Sequence, residues 1–174
     1  ASGGSLRLNE VLPYPSQGYA WAELYNDSET AVQLNEYYIS DRASQPLLFR
    51  LPAVTLQPGE YALVFFTGGA DTESSGISAG FSIGKQDDRV ILSNADGSCK
   101  SALCWSEGAP ENISISFGAA DDYYTEPTPL AENATAEWKI AEATAMDDTD
   151  PVILNEVMPE NDTLFPDAGG ECTA

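Results

Sequence analysis

The sequence contains no histidine. Catalytic triads with a histidine base, zinc sites with histidine ligands and imidazole general bases are therefore excluded for this chain. Basic residues are also scarce, because 7 lysines and arginines stand against 28 aspartates and glutamates and leave a formal net charge of −21. A field of this sign repels phosphate backbones and anionic lipid surfaces, so we expect no nucleic-acid partner.

Long apolar runs are also missing. No stretch of about 18 apolar residues is present, and the N-terminus lacks a charged segment followed by an apolar one, so we expect a soluble mature fragment without membrane insertion. The chain is 174 residues long with 43% hydrophobic and 10% aromatic residues. That is enough to bury the core of one domain with additional material. Residues 1–5 read as a linker or an expression scar.

Cysteine is rare, with three residues in the chain. On a straight strand Cys99 and Cys104 would lie roughly 16 Å apart, whereas a disulfide needs Cα atoms within about 7 Å. A bridge between them requires a turn through residues 100–103, and an extracellular setting favours a bridge. The sequence leaves both alternatives open, and it assigns Cys172 to the remainder of a second module.

One short motif occurs twice. LRLNEVLP at residues 6–13 returns as VILNEVMP at residues 152–159, and each copy is a short apolar segment stopped by proline. A strand at the start of a sheet has this form. The first copy is followed by WAELYN at residues 21–26, and the chain ends before a second copy of that stretch.

LNEV followed by WAELYN resembles the lamin tail domain family, and further motifs of that family follow in order. They are QLNEYYISD at 33–41, FRLP at 49–52, LQPGEY at 56–61, GFSI at 80–83, DRVIL at 88–92 with the DG turn at 96–97, and PTP at 127–129 with Asn133. Leu130 stands where the family's closing motif has glycine. The resemblance covers residues 6–134, and none of its motifs is catalytic.

The resemblance implies an all-β fold, an immunoglobulin-like β-sandwich of two mostly antiparallel sheets, over residues 6–134. Residues 135–151 are then a linker, and residues 152–174 are the truncated start of a second lamin-tail-like module. Members of the family occur in lamins and in many bacterial extracellular proteins. The resemblance therefore also implies an extracellular or cell-surface location.

Residue periodicity predicts several elements directly. YALVFF at residues 61–66 is a near-continuous apolar run, typical of a central strand covered on both faces. NADG at residues 94–97 predicts a hairpin turn. The glycine-, serine- and acid-rich stretch 68–80 is predicted to be a mobile connection. Residues 134–145 fit either an alanine-rich helix or a strand.

Glu10 and Glu23 are the natural carboxylate pair, because the two motif strands that carry them are expected to be neighbours. On a regular strand, Glu10 would lie on the same face as Leu6, Leu8 and Leu12. Either a bulge rotates the strand, or a carboxylate points inward. A buried carboxylate needs partners, so we expect it to accept backbone N–H groups or to meet Arg50 or Lys85. The same glutamate in both copies of the motif favours a structural role over catalysis.

Other polar groups are weaker candidates. The acidic doublets at 87–88, 121–122 and 147–148 supply oxygen ligands without the spacing of a calcium loop, which favours solvated loops. Asn-x-Ser/Thr triplets begin at Asn26, Asn112, Asn133 and Asn161. The sugar-stacking candidates are Tyr37, Tyr38, Tyr123 and Tyr124, although packing is the commoner use of such side chains. No catalytic residue, cofactor or metal site is assigned.

The sequence thus predicts a non-catalytic spacer, adhesion or protein-interaction module of a larger secreted or cell-surface protein, with a protein or cell-surface partner. The alternatives are a carbohydrate-binding accessory module with a polysaccharide partner and a carboxylate-based enzyme. Residues 152–158 form an apolar strand without the rest of a module. We expect this strand to lie against a sheet edge of its own domain or of a neighbouring molecule.

Overall fold

The fold was analysed in a computed structural model that describes residues 5–70, 76–106, 108–118, 121–135 and 137. Their only helical element is a 3₁₀ turn at Leu34–Glu36. The strands are β1 Leu6–Leu12, β2 Trp21–Asn26, β3 Val32–Gln33, β4 Tyr37–Ser40, β5 Phe49–Arg50, β6 Thr55–Leu56, β7 Tyr61–Phe66, β8 Ile77–Ala79, β9 Asp88–Asn94, β10 Cys99–Trp105, β11 Ser114–Ser116 and β12 Tyr123–Thr125. The predicted all-β class is confirmed.

Two sheets and a small ribbon account for these strands. The first sheet has the order β12-β11-β1-β2-β7-β8, the second has the order β10-β9-β4-β5, and β3 pairs with β6. Every pairing is antiparallel except that of β7 with β8. Buried side chains from both large sheets form one hydrophobic cluster, so the architecture is the expected immunoglobulin-like β-sandwich.

A β-bulge at Asn9 sets which side chains of β1 enter the core. The register with β2 shifts between Leu8 and Glu10, so Asn9 is an extra residue. Leu8 before the bulge and Val11 after it both belong to the core cluster. The bulge alternative is therefore the correct one, and Glu10 faces away from the core. Leu12, which an unbroken alternation would place on the same face as Leu6 and Leu8, lies outside the cluster because the bulge reverses the alternation after it.

β2 and β7 form the interior of the larger sheet. Val64 and Phe66 of β7 belong to the core cluster, and β7 is flanked by β2 and β8, as its apolar run predicts. Leu63 and Phe65 alternate with them and point to the opposite face, where they are only half-buried. The second face of β7 is thus covered in part, which leaves apolar surface on the outside of the sandwich.

The prediction of a mobile connection at 68–80 is wrong at its end. Ile77–Ala79 forms β8, which runs parallel to β7 and pairs Ala79 with Phe66. Ala79 is fully buried, so three residues of suitable alternation suffice for a strand that a larger sheet already templates. β6 and β12 were not predicted either, and each has no more than three residues.

The hairpin between β9 and β10 is confirmed. Gly97 adopts a φ of 84°, and its N–H donates to the carbonyl oxygen of Asn94 over 3.0 Å. Cys99 and Cys104 both lie on β10, five residues apart. Their Cα atoms are then roughly 16 Å apart, so a bridge between these two is excluded.

Several predictions concern residues outside the described ranges. They are the N-terminal linker at 1–4, the helix-or-strand alternative that continues beyond 137, the doublet at 147–148, Asn161, and the second module start at 152–174. The domain boundaries therefore stay predictions. Within the described ranges, no helix has the length and apolar character needed to span a bilayer.

Candidate functional site

Glu10 and Glu23 lie side by side on the outer face of the larger sheet. They are directly opposite each other in the register of β1 and β2, immediately after the bulge. Both residues are fully buried, with 0% of their surface exposed. The sequence prediction that these carboxylates are neighbours is confirmed by this pairing.

The carboxylates are covered by residues 127–133, which we call the closing segment. The backbone N–H of Thr128 donates to both carboxylate oxygens of Glu10, each over 3.1 Å. The backbone N–H of Leu130 donates to Oε2 of Glu23. Charge-assisted hydrogen bonds of this kind are about twice as strong as neutral ones. Each glutamate thus accepts one backbone N–H of the closing segment, which is not part of any strand.

Two asparagines complete the contact. The Nδ2 atom of Asn9, the bulged residue, donates to Oε1 of Glu23 and to Oδ1 of Asn133, each over 2.8 Å. Nδ2 of Asn133 in turn donates to the carbonyl oxygen of Asn9 over 3.0 Å. The LNE motif and the asparagine of the closing motif therefore recognise each other directly.

Burial dominates the electrostatics of the pair. Loss of water contact raises the pKa of Glu23 to about 7, and the neighbouring negative charge of Glu10 acts in the same direction. Desolvation also raises the pKa of Glu10, opposed by its hydrogen bonds from Thr128. Arg7 lowers the pKa of Glu23 by a smaller amount. The pair is therefore a pH-sensitive part of the fold.

These carboxylates are placed for structure. A glycoside hydrolase of the carboxylate type needs two acids that open onto a cleft at about 5–9.5 Å from each other. Here the closing segment occupies the side from which a substrate would approach. The predicted backbone partners are found, whereas the alternative partners are wrong. Arg50 donates to the carbonyl oxygen of Asn35, and Lys85 lies over the ring of Tyr14.

The four candidate tyrosines do not form a flat exposed platform. Tyr37 and Tyr124 pack against the core cluster, and the residue beside each on its strand faces the opposite side of the sheet. All four are half-buried, and the hydroxyl of Tyr123 donates to the carbonyl oxygen of Ala134 over 3.1 Å. Their arrangement gives no support to sugar stacking.

The acidic doublets within the described residues act in turns. Asp88 accepts the N–H of Gly84 and, over 2.8 Å, that of Arg89. Asp122 accepts the N–H of Gly118 over 3.2 Å, and its burial raises its pKa to about 6. In the part of the chain that the structure describes, no three histidine, cysteine, aspartate or glutamate residues are grouped to hold a metal ion.

The asparagines of the described glycosylation triplets serve the fold. Asn26 is fully buried and donates to the carbonyl oxygens of Thr30 and Leu56. Asn112 adopts a φ of 60° and accepts the N–H of Ser16. Asn133 belongs to the contact with Asn9. A glycan on Asn26 would require the loss of its buried hydrogen bonds.

Sequence reasoning missed a groove on the outer surface beside β7. It has a volume of about 1070 Å³, and its lining includes Val54, Leu63, Phe65, Ile77 and Leu130. Leu130 is 57% exposed and Val54 40%. The charged residues Arg50 and Glu60 also line it. Leu63 and Phe65 could have signalled it, because an apolar outer face on a strand needs a cover.

Leu130 stands where the resemblance of the closing motif implies a glycine, and it adopts a left-handed φ of 60°. This conformation costs a residue with a side chain about 1–2 kcal/mol, which exceeds the entropy cost of glycine. We expect Leu130→Gly to stabilise the fold by about 0.5–1 kcal/mol in urea unfolding. Leu130→Ala, which shortens the side chain but keeps the strain, is the control. Equal unfolding midpoints for the two variants would contradict this explanation.

The domain is immunoglobulin-like, with two packed sheets of mostly antiparallel strands and a closing segment bound to two buried carboxylates. The described residues form no reactive cleft at these carboxylates. A sequence model of the lamin tail domain matches residues 1–106. That match covers more than half of the chain, and the chain belongs to the lamin tail domain family. This immunoglobulin-like fold is generally non-enzymatic. No curated protein matches the chain.

Proposed function

We propose that this chain is a non-catalytic protein-interaction module of a larger secreted or cell-surface protein of bacterial type, in which it acts as a spacer or adhesion domain. Residues 152–174 are, in this proposal, the start of a second module of the same family. The observation that carries the proposed interaction is the groove beside β7. It offers apolar side chains of the sheet face and of the closing segment together, bordered by Arg50 and Glu60.

The chemistry of the groove suits an extended apolar peptide of a protein partner. Its apolar floor gains free energy when a partner removes it from water, at about 25 cal/mol per Å². Polar and charged groups at the rim orient a peptide and add specificity. The strong negative charge of the chain favours neutral or basic partner segments. The same charge suits a soluble module outside the cell.

Selection of phage-displayed peptides on the immobilised chain tests this function. We expect enriched apolar peptides to bind the wild-type chain and to lose about tenfold or more in affinity on Val54→Asp, because a carboxylate enters the groove wall. Leu47→Asp is the matched control, since Leu47 is 45% exposed and outside the groove lining. Interferometry measures both affinities.

Peptides that bind Val54→Asp as tightly as Leu47→Asp would contradict the groove as the interaction site. Retardation of the chain in gels that contain soluble polysaccharide would instead favour the carbohydrate-binding alternative. An antibody against the chain tests the location in cells that produce the parent protein. Labelling of intact cells supports exposure on the surface, whereas labelling only after lysis opposes it.

We also propose that the chain can associate with a second copy of itself by strand exchange through residues 152–158. It rests on the repeated LNEV motif alone, since an apolar strand without its own module tends to pair with another edge. Light scattering of the chain and of a variant truncated after Asp150 separates the outcomes. An oligomer lost on truncation supports exchange, and an unchanged monomer rules it out.

A further inference from the structure

The smaller sheet buries residues on the face that points away from the core. Val90 and Leu92 of β9 belong to the core cluster, so Ile91 between them faces outward. On β10, Leu103 and Trp105 belong to the cluster, so Cys104 faces outward as well. Ile91 is nevertheless only 1% exposed and Cys104 0%.

Polar residues on the same outer face are equally inaccessible. Ser40 of β4 pairs with Ile91, and Ser93 of β9 lies two residues further along. Both serines are fully buried, and the hydroxyl of Ser93 has no hydrogen-bond partner. An outer sheet face whose central side chains are apolar or small, and which is inaccessible to water, is expected to lie under another segment.

Cys104 takes part in a disulfide bond. Cys99 is excluded as its partner, because the two lie on the same strand roughly 16 Å apart and a disulfide spans at most about 7 Å between Cα atoms. The chain has three cysteines. Cys172 is therefore the one remaining partner within these 174 residues.

We propose that Cys104 is bonded to Cys172 of the same chain, and that the C-terminal stretch leading to Cys172 covers the outer face formed by β10, β9 and β4. This stretch contains the repeated motif at 152–159, so the start of the second module would be held against the first. In the oxidised chain this arrangement takes the place of strand exchange with a neighbouring molecule. The proposal goes beyond the interaction role of the groove, which lies at another place on the sandwich.

Length and charge agree with this occupant. From residue 137 to Cys172 the chain can extend up to about 115 Å at about 3.3 Å per residue, far more than a domain of this size requires. Arg89 stands directly opposite Cys104 in the register of β9 and β10. Glu171 immediately precedes Cys172, so bond formation brings an acidic residue to a basic one.

The bond forms by oxidation of two thiols. Each sulfur gives up one proton and one electron, and an external disulfide such as oxidised glutathione accepts the two electrons and is released as two thiols. The reaction can be carried out on the purified chain in a glutathione buffer. Its outcome therefore does not depend on whether the proposed extracellular location is correct.

Tryptic digestion without reduction gives a direct test, because cleavage after Arg89, Lys100 and Lys139 separates the three cysteines. Cys99 falls in peptide 90–100, Cys104 in 101–139 and Cys172 in 140–174. We expect mass spectrometry of the oxidised monomer to find 101–139 linked to 140–174. Linkage of 90–100 to either peptide, a free thiol at Cys172, or a disulfide-bonded dimer on non-reducing gels would overturn the proposal.

Thermal stability and amide hydrogen exchange test whether the C-terminal stretch covers the smaller sheet. We expect Cys172→Ser to lower the Tm by about 5–15 °C and to speed amide hydrogen exchange in β9 and β10, with Cys99→Ser as the matched control that leaves both near wild type. Cys172→Ser avoids any change within the buried face itself. Unchanged exchange of β9 and β10 in this variant would show that the C-terminal stretch does not cover the face, and would overturn that half of the proposal.

Discussion

Glu10→Ala is expected to lower the free energy of unfolding by about 2–4 kcal/mol. The wild-type carboxylate is fully buried and accepts the N–H of Thr128 with both oxygens. Alanine would leave that N–H without its acceptor and would leave a void beneath the closing segment. Relief of the buried charge offsets part of the loss, because desolvation already raises the pKa of Glu10. Urea unfolding followed by tryptophan fluorescence measures the change.

Glu10→Gln is the matched control for this loss. The amide keeps the volume and one acceptor oxygen, so we expect a loss of about 1 kcal/mol or less. Amide hydrogen exchange locates the effect, since the N–H of Thr128 and that of Leu130 should exchange faster in the alanine variant while β4 and β9 keep their protection. If alanine and glutamine variants unfold at the same urea concentration, Glu10 does not hold the closing segment.

The folded protein is expected to be more stable near pH 5 than near pH 8, by up to about 3 kcal/mol from Glu23 alone. The pKa of this residue is about 7 in the fold and 4.5 without it. Between these values the folded state binds more protons than the unfolded chain. Stability contributed by the protonated form is therefore present below about pH 4.5 and is lost as the pH rises through 7. Asp122, whose pKa is raised to about 6, acts in the same direction.

Glu23→Gln isolates this contribution. Lowering the pH also reduces the net charge of −21, which stabilises any compact form of so acidic a chain. The glutamine variant keeps that general effect and removes the titration at position 23. We expect its Tm to fall less steeply between pH 5 and pH 8 in calorimetry. Parallel curves for the variant and the wild type would assign the whole pH dependence to general charge repulsion.

The strands that the sequence predicts well are those whose own residues carry a strong pattern. Tyr61–Phe66 has the predicted bounds because it is an apolar run with turn residues at both ends. The hairpin at 94–97 is similar, since glycine supplies the positive φ that its turn needs. These features depend on local chemistry, which a single sequence contains.

Features that depend on distant partners were not predictable in the same way. β8 is three residues in a glycine- and serine-rich stretch, and it exists because the edge of β7 is available to it. The bulge at Asn9 was left as one of two alternatives. The alternation of residues shows that Glu10 would share a face with apolar side chains, but it does not show whether a bulge prevents this. The carboxylate pair was found because the strands with LNEV and WAELYN were expected to be neighbours, but its true partners, Thr128 and Leu130, are more than a hundred residues away.

That separation has a consequence for synthesis on the ribosome. The hydrogen bonds from the closing segment to β1 and β2 join residues 118, 107 and 124 positions apart. Until residue 133 has left the exit tunnel, a folded sandwich would contain two buried carboxylates without their N–H donors. Contacts of such high sequence separation also slow folding, because the chain must close a long loop before it gains their free energy. The nascent module thus reaches its final state only when almost all of it has been made.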